Sequence, residues 1–348
     1  MTAVLCAPGL AVADEASNGK ETTYYISLGD SLATGYQPDV DKDTAVAYTD
    51  QLYTQLKRRD PNLQHIRLGC TGETTESLIK GGRCDYPQAQ SQLDAALKAL
   101  AQHKGKVAYV SLSVGANDIQ ACVGPAETLD AACLNTAGQA MGEHLTQIAA
   151  ALRKAGTEHT QYTGSTYYNP FLAAWLTGTP GQKTAEESAP LIRAANRAIS
   201  QVYGTAGFEV ADVAGAYSSE DSTTLVNVPG AGVAPKNVAK ICQLTWTCTD
   251  EKDPHPNADG HKVIAGAFSA VLAERHTPHP TMSTPSNESA SSAPTGKTEG
   301  NNPTTDGDLA ETGASNTTPA LAGAGLAIVL AGSAGVYFAR RHRATDRN

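Results

Sequence analysis

Residues 24–35 read YYISLGDSLATG, and this stretch decides the fold. The first five residues are apolar or strand-favouring and end at Gly29, which marks a short buried strand. Gly29-Asp30-Ser31 then places a serine at the strand's end, two residues after a glycine. A serine so placed stands on a tight turn that opens a helix, and its own N–H points where an oxyanion would form. Alone, Gly-Asp-Ser is a common turn, and its serine reads as readily as a helix cap.

Outward from this turn the chain alternates between two periodicities. Helical spacing runs over 45–58, and 65–68 is a short strand. Pro87 opens a helix to about Gln102, with Leu93, Ala96, Leu97 and Leu100 on one face. A second strong strand covers 107–113, followed by a helix over 136–153 and a strand over 159–166. Then come a helix over 185–202, a strand over 208–213 and a last helix over 257–273. Alternating strands and helices imply a parallel sheet covered on both faces. Residues 24–275 therefore read as one α/β domain. In such sheets sites lie past the carboxyl ends of the strands.

Three further stretches fall at such ends. Residues 69–75 read GCTGETT, where Gly72 lets backbone approach closely and offers an N–H donor. It reads equally as a glycine starting a short helix. After the strand at 107–113 comes Gly115-Ala116-Asn117-Asp118, either an Asx-type turn or an asparagine amide aimed at the same oxyanion. Near the domain's end, Asp253-Pro254-His255-Pro256-Asn257 holds a histidine between two prolines, with an acid two residues earlier to orient the ring.

In this order, GDS, CTGETT, GAND and DPHPN resemble the SGNH (GDSL) hydrolases over nearly all of residues 24–275. The wording of GCTGETT, VGAND and YYNPFLAAWL (167–176) looks most like secreted actinobacterial esterases and lipases of that family. The resemblance implies a flavodoxin-like, three-layer α/β/α fold with a parallel sheet. It implies Ser31 as nucleophile and His255 as base. It further implies an oxyanion hole from the Ser31 N–H, the Gly72 N–H and the Asn117 side chain, with Asp253 as third member of the triad. The implied activity is hydrolysis of carboxylic esters, on an ester or lipid substrate, without metal or cofactor. The family often places the acid three residues before the histidine, which here is Lys252. Asp253 is the natural substitute and Asp250 the spare, while some members use a backbone carbonyl.

Other readings compete. An α/β-hydrolase would show Gly-x-Ser-x-Gly, whereas Leu32-Ala33 follow Ser31. A metallophosphatase built on Asp30, Asn117 and His255 would need more histidines near strand ends. A carbohydrate O-deacetylase of the same family, or a wall-displayed adhesin retaining the fold, would carry the same motifs. Phe171, Leu172 and Trp175 either line an acyl groove or belong to the core.

The remaining sequence addresses location. Among 348 residues, 26 Lys+Arg stand against 35 Asp+Glu, a net charge of −9 that argues against a nucleic-acid binder. A short apolar stretch ends in Ala11-Val12-Ala13 before Asp14-Glu15, so 1–13 is expected to be a signal peptide, its basic leading region lying upstream. Residues 276–308, mostly Ser, Thr, Pro, Asn and Gly, form an expected disordered linker. Leu-Ala-Glu-Thr-Gly (309–313) follows, then an apolar run of 21 residues over 319–339, long enough to cross a bilayer, and a basic tail over 340–348 that stays cytoplasmic.

That order resembles a sortase cell-wall sorting signal, which implies cleavage between Thr312 and Gly313 and attachment of Thr312 to peptidoglycan. A plain membrane anchor is the alternative. Setting Cys6 aside leaves six cysteines, which allow fifteen pairings. They fall into local couples, giving the expectation Cys70–Cys84, Cys122–Cys133 and Cys242–Cys248. A zinc site ranks lower because no Cys-x-x-Cys is present. The mature protein is expected to be a monomer.

Overall fold

The computed structural model describes residues 21–120, 122 and 131–273. The expected opening strand forms over Thr23–Gly29 (β1), and its last five residues are buried. After it come α1 (Ser31–Thr34), β2 (Tyr36–Gln37), β3 (Lys42–Asp43), α2 (Tyr48–Lys57), β4 (Leu63–Arg67), α3 (Thr75–Lys80), α4 (Gln92–Gln102), β5 (Val107–Ser113) and α5 (Ala116–Gln120). Next are α6 (Ala131–Ala155), β6 (Gln161–Ser165), a 3-10 helix (Pro170–Thr177), α7 (Thr179–Thr205), β7 (Glu209–Ala211) and α8 (Val213–Ala216). The last elements are β8 (Leu225–Val228), β9 (Gly232–Pro235), α9 (Lys236–Leu244), β10 (Thr245–Trp246), β11 (Asp253–Pro256) and α10 (Ala258–Ala273).

The main sheet has the order β4-β1-β5-β6-β7, and every neighbour is parallel. Its centre is apolar on both sides because both sides are covered. Ile26, Leu28, Val110 and Leu112 face a core built with Leu93 and Leu100 of α4, Leu145 and Ile148 of α6, and Ile199 of α7. Tyr25 and Tyr109 face the opposite core, with Leu52 and Leu56 of α2 and Ile264 and Phe268 of α10. The result is the expected three-layer α/β/α arrangement, in the flavodoxin-like strand order.

Several boundaries differ from the sequence reading. The helix expected from Pro87 begins at Gln92, because the Ser91 side chain accepts from the Asp94 N–H and caps it there. The helix expected from 185 begins at Thr179, with Pro180 in its first turn and Gly178 at its cap. The helix expected from 136 begins at Ala131. The strand expected over 208–213 stops at Ala211, because Asp212 caps α8 by accepting from the Gly215 N–H.

The structure joins Cys70–Cys84, Cys122–Cys133 and Cys242–Cys248, with Cα–Cα distances of 6.1, 5.5 and 5.0 Å. All three distances suit a disulfide. Among the described residues no helix is long and apolar enough to cross a membrane. The expected signal peptide at 1–13, the linker at 276–308, the 309–313 motif with Thr312 and Gly313, the 319–339 run and the 340–348 tail lie outside the described residues.

Candidate active site

The carboxyl end of the sheet gathers the motif residues. β1 runs out at Gly29, whose φ is +142° and where a Cβ would lie 2.2 Å from the Ser113 carbonyl oxygen. Only glycine fits between the two central strands here. The Asp30 N–H donates to the Ser113 carbonyl at 3.1 Å. The Asp30 Oδ1 accepts from the Leu32 N–H at 3.0 Å and caps α1. Ser31 is thus the first helical residue after the central strand, on a turn fixed by main-chain bonds.

Gln92, fully buried at the start of α4, reinforces that turn. Its Oε1 accepts from the Gly29 N–H at 2.6 Å, and its Nε2 donates to the Gly29 carbonyl at 3.0 Å. The same Nε2 donates to Glu73 Oε2 at 2.9 Å, which ties the 69–75 loop to the serine turn. The Cys70 N–H adds a bond to the Gly29 carbonyl at 3.0 Å. Sequence reading did not find Gln92. Its spacing of four and eight residues from the buried Ala96 and Leu100 was the available signal.

Gly72 has φ +79°, and a Cβ there would lie 2.0 Å from Arg83 Nη2. The Asn117 Nδ2 donates to the Glu73 carbonyl at 2.9 Å, which uses one of its two hydrogens and leaves the other for a ligand. Asp118, next in the chain, accepts from the Thr75 N–H at 2.9 Å and from the Thr75 hydroxyl. Two motifs far apart in sequence are therefore bolted together. Neither the Ser31 nor the Gly72 N–H is engaged by another described residue.

The histidine arrives from the other side. β11 pairs antiparallel with β10. His255 Nε2 lies 2.8 Å from Ser31 Oγ. Its Nδ1 lies 2.6 Å from Asp253 Oδ1, which also accepts from the His255 N–H at 2.8 Å. A carboxylate accepts only, so the proton sits on Nδ1 and Nε2 accepts from the serine hydroxyl, a tautomer assigned from this network. Asp250 is exposed and makes no hydrogen bond to the imidazole. The backbone at Lys252 is left-handed, φ +48°, which turns the chain so that Asp253 faces inward.

Four side chains from elsewhere brace this segment. Gln37 Nε2 donates to the Pro256 carbonyl at 2.9 Å, and Trp246 Nε1 donates to Gln37 Oε1 at 3.1 Å. The Tyr168 hydroxyl donates to the Pro254 carbonyl at 2.6 Å, and the Thr247 hydroxyl to the Asp253 carbonyl at 3.2 Å. The Tyr36 ring lies 4.9 Å from the imidazole, tilted by 60°.

Burial pushes the Asp30 carboxyl up to about 7, opposed by its bond to the Leu32 N–H and by His255. Burial also raises Asp118 and Glu73. His261, one turn into α10, is pushed down to about 3, first by burial and then by His255.

Ser31, Gly72, Asn117, Asp253 and His255 all line one cavity of about 190 Å³. In it, a hydroxyl has one proton acceptor, the acceptor has one fixed tautomer, and Gly72 and Asn117, each with an N–H hydrogen to spare, line the same space. Such a set can attack an ester carbonyl and stabilise the oxyanion formed. Of the three residues expected at an acyl groove, Phe171 lines the cavity, whereas Leu172 and Trp175 pack in the opposite core. A 3-10 helix stacks residues three apart, so Leu172 and Trp175 share one face, the one in that core.

No curated protein matches the chain. Solved structures do, at low identity. A hydrolase from the metagenome of Lake Arreo, Spain, is 18% identical, with TM-score 0.41 over 72% of this chain and 95% of its own. A lipolytic G-D-S-L protein from Veillonella parvula is 13% identical, with TM-score 0.40 over 72% and 99%. The acetyl xylan esterase AlAXEase is 14% identical, with TM-score 0.45 over 71% and 98%. The GDSL-like lipase/acylhydrolase family model matches residues 27–263, more than half of the chain, and the chain belongs to that family.

Proposed function

We propose that this chain is an exported carboxylic ester hydrolase of the esterase/lipase kind, working through an acyl-serine. The observation that carries the reading is the run Ser31 Oγ–His255 Nε2 at 2.8 Å and His255 Nδ1–Asp253 Oδ1 at 2.6 Å, at the carboxyl end of a central strand. Ser31 Oγ attacks the ester carbon while His255 takes its proton. The Ser31 N–H, the Gly72 N–H and the Asn117 amide hold the oxyanion. The C–O bond to the alcohol breaks, and His255 returns the proton to the leaving alcohol. Water, deprotonated by His255, then cleaves the acyl-serine and releases the acid. Asp253 keeps the imidazole in the working tautomer and stabilises its charged form.

Labelling with a fluorophosphonate and turnover of p-nitrophenyl esters test this together. Ser31→Ala and His255→Ala should each lose turnover by on the order of 10⁶-fold, as in other serine triads. Ser31→Ala should also take no label while keeping its circular dichroism. Parent-like turnover in either variant would remove the assignment.

Location belongs to the same proposal. The order of 309–313, 319–339 and 340–348 supports sortase attachment through Thr312, and the disulfides support an oxidising compartment. The secreted actinobacterial branch fits the wording of GCTGETT and VGAND. Mass spectrometry of wall digests should find a mature C-terminus at Thr312. A dominant species still carrying 319–339 would leave only a membrane anchor.

A further inference from the structure

The cavity beside Ser31 has one polar end and one apolar end. At the polar end stand Ser31, Gly72, Asn117 and His255. Behind them the walls are Ile119, Met141, Phe171, Ile192, Ala195 and Ile199. All six keep less than a tenth of their surface exposed. The three α7 residues recur at spacings of three and four, which puts one continuous stripe along the cavity wall.

The polar side chains in these walls are mostly spent. The Asn196 Oδ1 accepts from the Tyr167 N–H at 2.8 Å, and its Nδ2 donates to the Tyr167 carbonyl at 2.7 Å. The Tyr168 hydroxyl is bonded to Pro254, and the Thr71 hydroxyl to Asp43. The exceptions are the buried Asp30 Oδ2 and the buried Tyr167 hydroxyl, neither of which has a partner among the described residues. A sugar ring in this space would leave most of its hydroxyls without partners, at a cost for each. An acetyl group would leave most of the space empty.

The geometry points to an acyl-chain pocket selective for apolar acids of medium length, with Ile192, Ala195 and Ile199 setting the length. This rests on the ester-hydrolase reading above. The cavity's 190 Å³ exceeds the roughly 150 Å³ of an engineered apolar cavity that holds benzene, so about six to eight carbons fit. Each methylene buried should raise kcat/KM about fourfold, and the gain should stop where the pocket is full.

The test is a chain-length profile of the full chain on p-nitrophenyl acetate, butyrate, hexanoate, octanoate and decanoate, with fluorophosphonate labelling alongside. Hexanoate should exceed acetate by roughly 250-fold in kcat/KM if its four added methylenes are all buried, and octanoate by more where the pocket still has room. Ala195→Leu should lower the hexanoate-to-acetate ratio by about tenfold. Ile199→Ala, which enlarges the pocket, should move the maximum to longer esters. A flat profile, or acetate as the best substrate, overturns the pocket while labelling at Ser31 leaves the ester-hydrolase reading standing. So do two folded variants with the parent profile. Loss of labelling and of turnover on every ester, in the parent itself, defeats the ester-hydrolase reading instead.

Discussion

Ser31 and His255 meet at one hydrogen bond but are held by different means. The serine arm is main chain. It is the end of β1, hydrogen-bonded between β4 and β5, with a glycine that no other residue could replace and a glutamine amide clamped on both sides of it. The histidine arm is a four-residue strand on a two-stranded ribbon outside the main sheet, held by side chains of Gln37, Tyr168 and Thr247. A main-chain ladder fixes position with little dependence on any one side chain. A brace of side chains can be cut one at a time. The two arms should therefore fail differently, the first through the fold and the second through catalysis.

The sharpest cut lies inside the histidine arm. Asp253→Asn keeps the shape but offers the imidazole a donor as well as an acceptor, so the working tautomer is lost. The expected drop in kcat is up to about 10⁴-fold, the cost seen when a triad aspartate becomes asparagine. Asp250→Asn should leave kcat at the parent value, since that side chain makes no bond to the ring. Steady-state kinetics on a p-nitrophenyl ester decides it, and the reverse ranking would reassign the third member.

Next in size is the proposed oxyanion donor on the serine side. Asn117→Ala removes one donor and should cost about 100- to 1000-fold in kcat. Asp118 still ties its loop to Thr75, so KM should move much less than kcat. An equal rise in KM with kcat intact would show that Asn117 binds the ground state instead.

Gln37 and Gln92 compare the two arms directly. Gln37→Ala frees the buried Pro256 carbonyl and the half-buried Trp246 indole and lets the histidine drift. About a tenfold loss in kcat is expected, because sub-ångström misplacement of a catalytic group is costly, along with about 1–3 kcal/mol for the unpaired carbonyl. Gln92→Ala leaves the Gly29 N–H unpaired in the interior, which should cost about 1–3 kcal/mol, and removes the bond to Glu73, while the Gly29 carbonyl keeps the Cys70 N–H and the serine turn stays in place. Here thermal unfolding reports the damage first. Equal loss of kcat in both variants would erase the distinction between the arms.

The sequence displayed some of this and hid the rest for physical reasons. β1 and β5 were legible because a strand buried on both faces is a run of apolar residues, whatever surrounds it. Ser31, Gly72, Asn117 and His255 were legible because their motifs sit at strand ends, where this fold class collects its chemistry. Asp253 was one of several candidates until the left-handed turn at Lys252 was seen. Gln37 gave no signal, since its partner lies 219 residues away and a glutamine in a short hairpin looks like surface. The true start of α4 was hidden by Pro87, a helix opener that here belongs to a turn with Gln88 in the left-handed region.

The smallest predicted effect compares one buried titratable group behind each arm. Asp30 stands behind the serine, and its carboxyl is raised by burial from 3.8 to about 7. Between those values the fold keeps a proton that the unfolded chain has lost, so this group's contribution to stability falls as pH rises. His261 stands behind the histidine arm and is lowered by burial from 6.5 to about 3. Between those values the unfolded chain holds a proton that the fold refuses, so its contribution falls as pH drops. The two slopes oppose each other across mildly acidic pH. Asp30→Asn keeps an oxygen to accept from the Leu32 N–H and removes the ionisation. Near pH 4 variant and parent should melt together, and by about pH 8 the variant should melt higher. Each kcal/mol of relief should appear as about 2–4 °C. With the Asp30 slope gone, stability of the variant should rise more, or fall less, than the parent's from acid to neutral pH. A melting-temperature difference that is the same at both pH values would mean that Asp30 does not carry its proton into the fold.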